Sequence, residues 1–359
     1  MLCNLAAVCG LAIAFTTTAT AQNTSNTSAP SDPKALALAA SAANGIPADA
    51  QPWHAKINFT LSGWDGKPLS EGTFEEIWAG PSKYRRTYAA TNFNQVEYGT
   101  AGGVKRTGSP GDAPLELQKI VNEFLQPIPL DAASIGSAKL QIEPLALGTT
   151  KLACLSVALP GTATQPASTT SYCMQENSTV LLLTVENSGQ IKTSRDSLVK
   201  FQDHFFPRAV ERYAANPGIP APRPGTPMPP PKPEMTAKME TLEPLTAIDD
   251  AQFTPPADAV TPPKVVAMDE KTSKKQLVNH PMAEYPPAAH WQHVGGVVVV
   301  ALRIQTDGHV TNLRVVSGHP LLQQAALDAI KKWTYKPFVA DGQPVEVDTT
   351  ASTTFNYMP

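Results

Sequence analysis

The sequence predicts an α+β protein, in which an antiparallel sheet with one helix is followed by a small β-β-α-β unit. Strand-like segments recur about every ten residues from Trp53 onward, with turn residues between them. Near the C-terminus, two apolar runs, a helical repeat and an alternating segment follow one another between Tyr285 and Tyr357. The length of 359 residues favours two domains.

The composition excludes one class of partner. The chain holds 28 Lys and Arg against 31 Asp and Glu, which gives a formal net charge of −3. It therefore lacks the large basic field that binding to nucleic acid requires. Its 35 prolines exceed ordinary usage and cluster in the second half, which indicates a linker or an insertion there.

Residues 1–21 are predicted to be a secretory signal peptide. An apolar run from Leu5 to Phe15 precedes small residues at Ala19 and Ala21, which form an A-x-A cleavage site. The alternative is an uncleaved anchor in the inner membrane. The run is short for an anchor, because about 16 helical residues span roughly 24 Å and a bilayer core is ~30 Å thick. Residues 22–52 are rich in small polar residues and predicted to be mostly disordered, with a short helix at Lys34–Ala43.

The first folded domain is predicted to span residues 53–256 as a meandering antiparallel sheet. Apolar residues alternate from Trp53 to Leu61, and Asp65-Gly66 then turns the chain. Further strands are predicted at 72–79, 83–88, 93–98, 138–144, 152–158, 179–186, 190–201, 206–213 and 239–247.

One helix is predicted to interrupt these strands, at Pro114–Gln126. Asp112 is its predicted cap and proline suits its first turn. One face of the helix is apolar and consists of Leu117, Ile120, Val121 and Phe124.

Cys154 and Cys173 are the only cysteines after the predicted cleavage site. Both lie in strand-like flanks of one loop, so a disulfide is expected in an oxidising compartment. Closing a loop of about 20 residues is worth roughly 3 kcal/mol in the chain-entropy model. The alternative, a redox pair, lacks the C-x-x-C spacing.

Two segments late in the chain are predicted to be extended. Residues 217–233 read PGIPAPRPGTPMPPPKP and are typical of a polyproline helix inserted in the first domain. Residues 257–284 are predicted to be a linker that joins the two domains without fixing their angle.

The first domain resembles the outer-membrane lipoprotein carrier superfamily, the LolA-like half-barrels. The resemblance is carried by GTFEEIWAGPSKYRRTY at Gly72–Tyr88 and LTAIDDAQFTPP at Leu245–Pro256. It implies an antiparallel half-barrel curled around an apolar cavity, with a lipid or lipoprotein ligand. The sequence does not separate cavity residues from core residues, and Trp78, Tyr84 and Phe124 also fit an ordinary core.

The second domain is predicted at residues 285–357. Gly295-Gly296 opens an apolar strand that ends at Ile304, and Asp307-Gly308 is a strong hairpin signal before the return strand at 310–316. A helix follows, with apolar residues at helical spacing from Leu322 to Trp333. The last strand alternates, with its odd-numbered residues from 345 to 357 predicted to face the core and its even-numbered residues to face water.

This domain resembles the C-terminal domain of TonB, the energy transducer of bacterial envelopes. The matching segments are Tyr285-Pro286, GVVVVALRIQTDGHV at Gly296–Val310, AALDAIKKWTYKP at Ala325–Pro337 and GQPV at Gly342–Val345. The resemblance implies a periplasmic domain that binds the TonB box of an outer-membrane TonB-dependent receptor as an added strand. It also implies proton-driven motor proteins of the inner membrane as partners, although such transducers need an N-terminal membrane helix and the sequence shows no convincing one.

The last strand is the predicted docking site, because a sheet edge offers unpaired N–H and C=O groups to a visiting strand. About six backbone hydrogen bonds at roughly 1 kcal/mol net each would supply several kcal/mol. The alternative is that Glu346 and Asp348 only keep a polar edge soluble. The predicted docking residues are Val345, Glu346, Val347, Asp348, Thr349, Thr350, Ala351, Ser352, Thr353, Thr354 and Phe355.

The sequence offers no pattern typical of an enzyme. It has no nucleophile elbow, P-loop, H-E-x-x-H or metal-spaced cysteines, so no catalytic residue, cofactor or metal is predicted. His290 and His293 lack a third ligand, and Asp249-Asp250 fits a turn better than an acid pair. The sequence thus favours a TonB-family protein of envelope transport, with a periplasmic lipid or lipoprotein carrier as the alternative.

Overall fold

The computed structural model describes residues 29–47, 50–63, 66–160, 167–186, 189, 191–214 and 232–357. Within these residues a large antiparallel sheet is followed by a smaller mixed sheet. The predicted signal peptide (1–21) and residues 217–231 of the predicted proline-rich insertion lie outside the described residues.

 

The strands of the large sheet are 6 to 13 residues long and pair antiparallel throughout. Their spatial order is β5-β4-β3-β2-β1-β14-β13-β10-β9-β8-β7-β6. Their bounds are β1 (Trp53–Ser62), β2 (Pro68–Gly80), β3 (Lys83–Ala90), β4 (Phe93–Thr100), β5 (Gly103–Gly108), β6 (Lys139–Leu147), β7 (Thr150–Leu159), β8 (Ser168–Gln175), β9 (Leu181–Glu186), β10 (Ile191–Asp196), β13 (Ala209–Ala214) and β14 (Met235–Pro244).

Two of the predicted strands are divided in the structure. The range 190–201 separates into β10 and β11 (Val199–Phe201), and the range 206–213 separates into β12 (His204–Phe206) and β13. Ser197, Gln202 and Asp203 have positive φ values of 53°, 47° and 67°, so the backbone turns at these points. β11 and β12 consequently form a separate two-stranded hairpin.

Three helices accompany the large sheet: α1 (Pro33–Ala43), α2 (Leu115–Leu125) and α3 (Ala132–Ser137). Helix α1 confirms the predicted short helix, and the Asp32 side chain caps it by accepting a hydrogen bond from the Ala35 N–H. Helix α2 buries Ile120 and Phe124 completely in the core of β1–β4 and β14. Its buried Glu123 pairs with Arg195 of β10, which holds the helix on the sheet.

The predicted cap of α2 is wrong. The helix begins after Pro114, and no side chain caps it. Asp112 instead accepts a hydrogen bond from Arg106 Nη1 at 2.8 Å. An arginine on the neighbouring strand competes for the carboxylate, and a charged donor forms the stronger hydrogen bond.

The predicted disulfide is confirmed. Cys154 and Cys173 are bonded and lie directly opposite each other on β7 and β8. The large sheet is open between β5 and β6 among the described residues. Its description as a half-barrel stays a prediction.

The smaller sheet contains the predicted β-β-α-β unit, which consists of β17, β18, α6 and β21. Its strand order is β15-β21-β17-β18, and β20 also pairs with β21. The elements of this part of the chain are β15 (Val265–Ala267), α4 (Glu270–Ser273), β16 (Leu277–Asn279), α5 (Pro287–Trp291), β17 (Gly296–Ile304), β18 (Val310–Ser317), α6 (Pro320–Ile330), β19 (Thr334–Tyr335), β20 (Phe338–Ala340) and β21 (Gln343–Phe355).

The range predicted to be a flexible linker, 257–284, contacts both sheets. Val260 exchanges two backbone hydrogen bonds with Arg106 of β5, at 2.8 and 2.9 Å. Further along, β15 pairs with β21 and β16 pairs with β19. No helix among the described residues is long and apolar enough to cross a membrane.

Candidate functional site

Strand β21 lies inside the smaller sheet. One of its margins pairs antiparallel with β17, from Gly296 opposite Phe355 to Ile304 opposite Val347. Its apolar side chains are buried in the core that α6 covers, as the alternation predicted. The buried apolar residues of β21 are Val345, Val347, Ala351 and Phe355.

The other margin of β21 is occupied in part by the chain itself. Glu346 N–H donates to the Lys264 carbonyl at 2.9 Å, and the Asp348 carbonyl accepts from Met268 N–H at 2.9 Å. Ser352 N–H donates to the Glu270 carboxylate at 2.8 Å. The expectation of a free margin along the whole strand is therefore wrong between Glu346 and Ser352. We call residues 264–273 the strap.

The strap is short and only half-buried. Its three paired residues run parallel to Glu346–Asp348. Val265 and Ala267 are exposed, whereas Val266 packs against the core of the smaller sheet. Glu270 holds the far end, because its carboxylate accepts from both the N–H and the Oγ of Ser352, at 2.8 and 2.7 Å.

The prediction that both acidic residues of β21 face water is wrong for Glu346, whereas the Asp348 side chain is 41% exposed. Glu346 is 3 % exposed, and Arg303 Nη1 lies 3.7 Å from its carboxylate. Burial raises the pKa of Glu346, and the positive charge of Arg303 offsets part of that rise. Asp348 accepts two hydrogen bonds from the Arg303 guanidinium, at 2.7 and 2.8 Å. Arg303 also pairs with Asp112 of the first domain.

A row of alternating charges crosses strands β2 to β5 next to this contact. Register places Glu76, Arg86, Glu97 and Arg106 side by side on β2, β3, β4 and β5. Arg86 Nε lies 2.7 Å from Glu76 and Arg106 Nε lies 2.8 Å from Glu97. We call these four residues the charge row. It continues through Asp112 to the smaller sheet.

The charge row forms part of the wall of a cavity of about 790 Å³ between β1–β5 and α2. Trp78 and Tyr84 line this cavity, whereas Phe124 is an ordinary core residue. The cavity walls mix aromatic and charged groups, which differs from the apolar lining that the lipid-carrier resemblance implied. Inward-facing charges at alternate positions, such as Glu76 and Arg86, were the sequence signal for this difference.

The remaining polar candidates have structural surroundings. Asp249 caps a short 3-10 helix by accepting from Ala251 N–H, and Asp250 pairs with Lys83. The rings of His290 and His293 pack against Tyr357. Across the described part of the chain, no group of three His, Cys, Asp or Glu residues could hold a metal ion.

Residues 281–357 match the family model described as Gram-negative bacterial TonB protein C-terminal. This match confirms the resemblance found in the last domain. No curated protein matches the chain in sequence.

Several solved structures match parts of this chain. One is a putative outer membrane lipoprotein-sorting protein domain from Vibrio parahaemolyticus, with 8% identity, 61% of this chain and 95% of that chain covered, and a TM-score of 0.37. Another is a LolA superfamily protein from Nitrosomonas europaea, with 10% identity, coverage of 61% and 96%, and a TM-score of 0.38. A third is the TonB C-terminal domain of Pseudomonas aeruginosa, with 23% identity, coverage of 23% and 87%, and a TM-score of 0.21.

Proposed function

We propose that this protein is a TonB-family component of envelope transport that binds an extended receptor peptide by strand addition to β21. The observation that carries the proposal is the outer margin of β21, where a short segment of the same chain already pairs as an added strand. The match of residues 281–357 to the TonB C-terminal family supports the choice of an outer-membrane receptor as partner.

The peptide has to replace the strap over part of its length. Backbone groups of alternate residues from Glu346 to Thr354 point away from β17, because successive residues of a strand face opposite margins. The backbone of the strap pairs with the outward backbone groups of Glu346 and Asp348, and a side chain of the strap accepts from the outward N–H of Ser352. A longer peptide forms more backbone bonds along the same margin, which favours the exchange.

The proposal places the protein in the periplasm, in contact with a receptor of the outer membrane. Proton-driven motor proteins of the inner membrane are partners only if residues 1–21 remain as an anchor. Fractionation of cells tests this point, because retention in the inner membrane supports a transducer and release with the periplasm supports an adaptor.

The peptide-binding proposal is tested with synthetic peptides that cover the TonB boxes of receptors from the source organism. Calorimetry measures affinity, and amide chemical shifts locate the site. We expect shifts at Thr350, Ser352 and Thr354 on binding. Thr354→Pro removes an outward N–H from the exposed end of β21 and should weaken binding, with the amide spectrum of β17 as the control for folding. Unchanged affinity in this variant, or shifts confined to other elements, contradicts the proposal.

A second candidate function is a periplasmic carrier of lipid or lipoprotein, with the smaller sheet as a docking module. The volume of the cavity in the first domain, about 790 Å³, supports this candidate, whereas the charged residues in its wall count against an acyl chain. Mass spectrometry of protein purified without detergent tests it. A co-purified lipid that is lost from a Trp78→Ala variant supports the carrier, and protein free of lipid contradicts it.

A further inference from the structure

We propose that the cavity between β1–β5 and α2 binds a neutral saccharide. The aromatic rings and the polar groups that line this cavity both suit a sugar. Trp53, Trp78 and Tyr84 are among the residues that line the cavity. The rings of Trp53 and Trp78 stack, with their centroids 6.4 Å apart. Flat aromatic faces of this kind pack against the C–H face of a sugar ring, and their area contributes the apolar part of binding.

Two buried polar atoms of the cavity residues have no hydrogen-bond partner among the described residues. They are Nε1 of Trp53 and Oε2 of Glu76. The indole N–H can only donate and the carboxylate oxygen accepts. Leaving such groups unpaired is unfavourable. Both residues line the cavity, and a ligand whose hydroxyl groups reach these buried atoms can accept from Trp53 and donate to Glu76.

The charges of the cavity are balanced within the protein, which favours a neutral ligand. Arg86 lies between Glu76 and Glu97, with distances of 2.7 and 3.6 Å. Arg106 lies between Glu97 and Asp112, with distances of 2.8 Å to each. An anion would compete with these carboxylates and a cation with these arginines. A neutral ligand leaves every pair intact.

The charge row also disfavours an acyl chain as the ligand of this cavity. A methylene chain laid along Arg86 and Glu97 would remove water from both charges without replacing a hydrogen bond. Hydroxyl groups replace that water. Polar amides at the α2 side of the cavity, Gln118, Asn122 and Gln126, provide further donors and acceptors for them.

The test titrates the full chain with two neutral trisaccharides, maltotriose and triacetylchitotriose, and in parallel with palmitate. Binding is followed by calorimetry and by saturation-transfer NMR. Trp78→Ala removes an aromatic wall, and Trp291→Ala is the matched control because Trp291 is 84 % exposed on α5. Asn122→Ala provides a second variant, since Asn122 is exposed and its replacement should leave folding intact.

We expect at least one trisaccharide to bind, with affinity at least tenfold lower in Trp78→Ala, severalfold lower in Asn122→Ala and unchanged in Trp291→Ala. Three results overturn the proposal. Neither trisaccharide binds the unaltered chain, or a trisaccharide binds equally well to all variants, or palmitate binds in a Trp78-dependent manner while the sugars do not. These results are separate from those of the receptor-peptide experiment, which probes β21.

Discussion

We predict that weakening the strap strengthens peptide binding, by a factor that follows from the hydrogen bonds of Glu270. Glu270→Ala removes the two hydrogen bonds, of 2.8 and 2.7 Å, that anchor the strap at Ser352. Hydrogen bonds to charged groups contribute about 1.5–3 kcal/mol each when well buried. Glu270 is half-buried, so solvent screens part of the interaction, and we take about 2 kcal/mol for the two hydrogen bonds together.

This loss lowers the equilibrium constant for closing the strap by a factor of roughly 30, because 1.4 kcal/mol corresponds to a tenfold change. If the receptor peptide binds only when the strap is open, its apparent affinity rises as the open fraction rises. We therefore expect Glu270→Ala to bind the peptide up to about thirtyfold more tightly than the unaltered protein.

Calorimetry with a synthetic TonB-box peptide measures the change. Glu284→Ala is the matched control, because Glu284 is an exposed glutamate outside the strap. Its affinity should equal that of the unaltered protein. An unchanged or weaker affinity in Glu270→Ala would refute the reasoning, since the peptide would then not compete with the strap.

Three further predictions concern stability and titration. Replacing Cys154 and Cys173 together by serine should lower the free energy of unfolding by about 3 kcal/mol, as measured in urea, and reducing agent should have no further effect on this variant. Phe124→Ala should cost about 3–5 kcal/mol by the same assay, because the ring is fully buried between α2 and the sheet. Burial raises the pKa of the Tyr88 phenol to about 12, so stability should be intact below pH ~10 and fall as the pH rises towards 12, a component that Tyr88→Phe should lack.

Much of the fold could be predicted because it depends on local patterns. The alternation of β1 predicted which of its side chains are buried, and the apolar face of α2 predicted how that helix packs. The alternation of β21 predicted the burial of its apolar residues but not that of Glu346 and Thr350. The disulfide was predictable from the two strand-like flanks of one loop. These features follow from periods of 2 and 3.6 residues, which any reader of the sequence can count.

The strap could not be predicted in the same way. Val265–Ala267 has three residues, two of them β-branched, and so short a segment is compatible with a linker as well as with a strand. Its pairing with β21 depends on where β21 lies after folding. The burial of Glu346 could not be predicted for the same reason, because it depends on the position of Arg303 on the neighbouring strand after folding.

The two kinds of unit, their main strands and helices and the family resemblance of the last unit could be predicted without a structure, because these features depend on residues close together in the chain. Two features became visible only in the folded chain: Glu76, Arg86, Glu97 and Arg106 form one row, and the strap occupies part of the margin of β21. Both features require the register between strands, and register is fixed by contacts between residues far apart in the sequence.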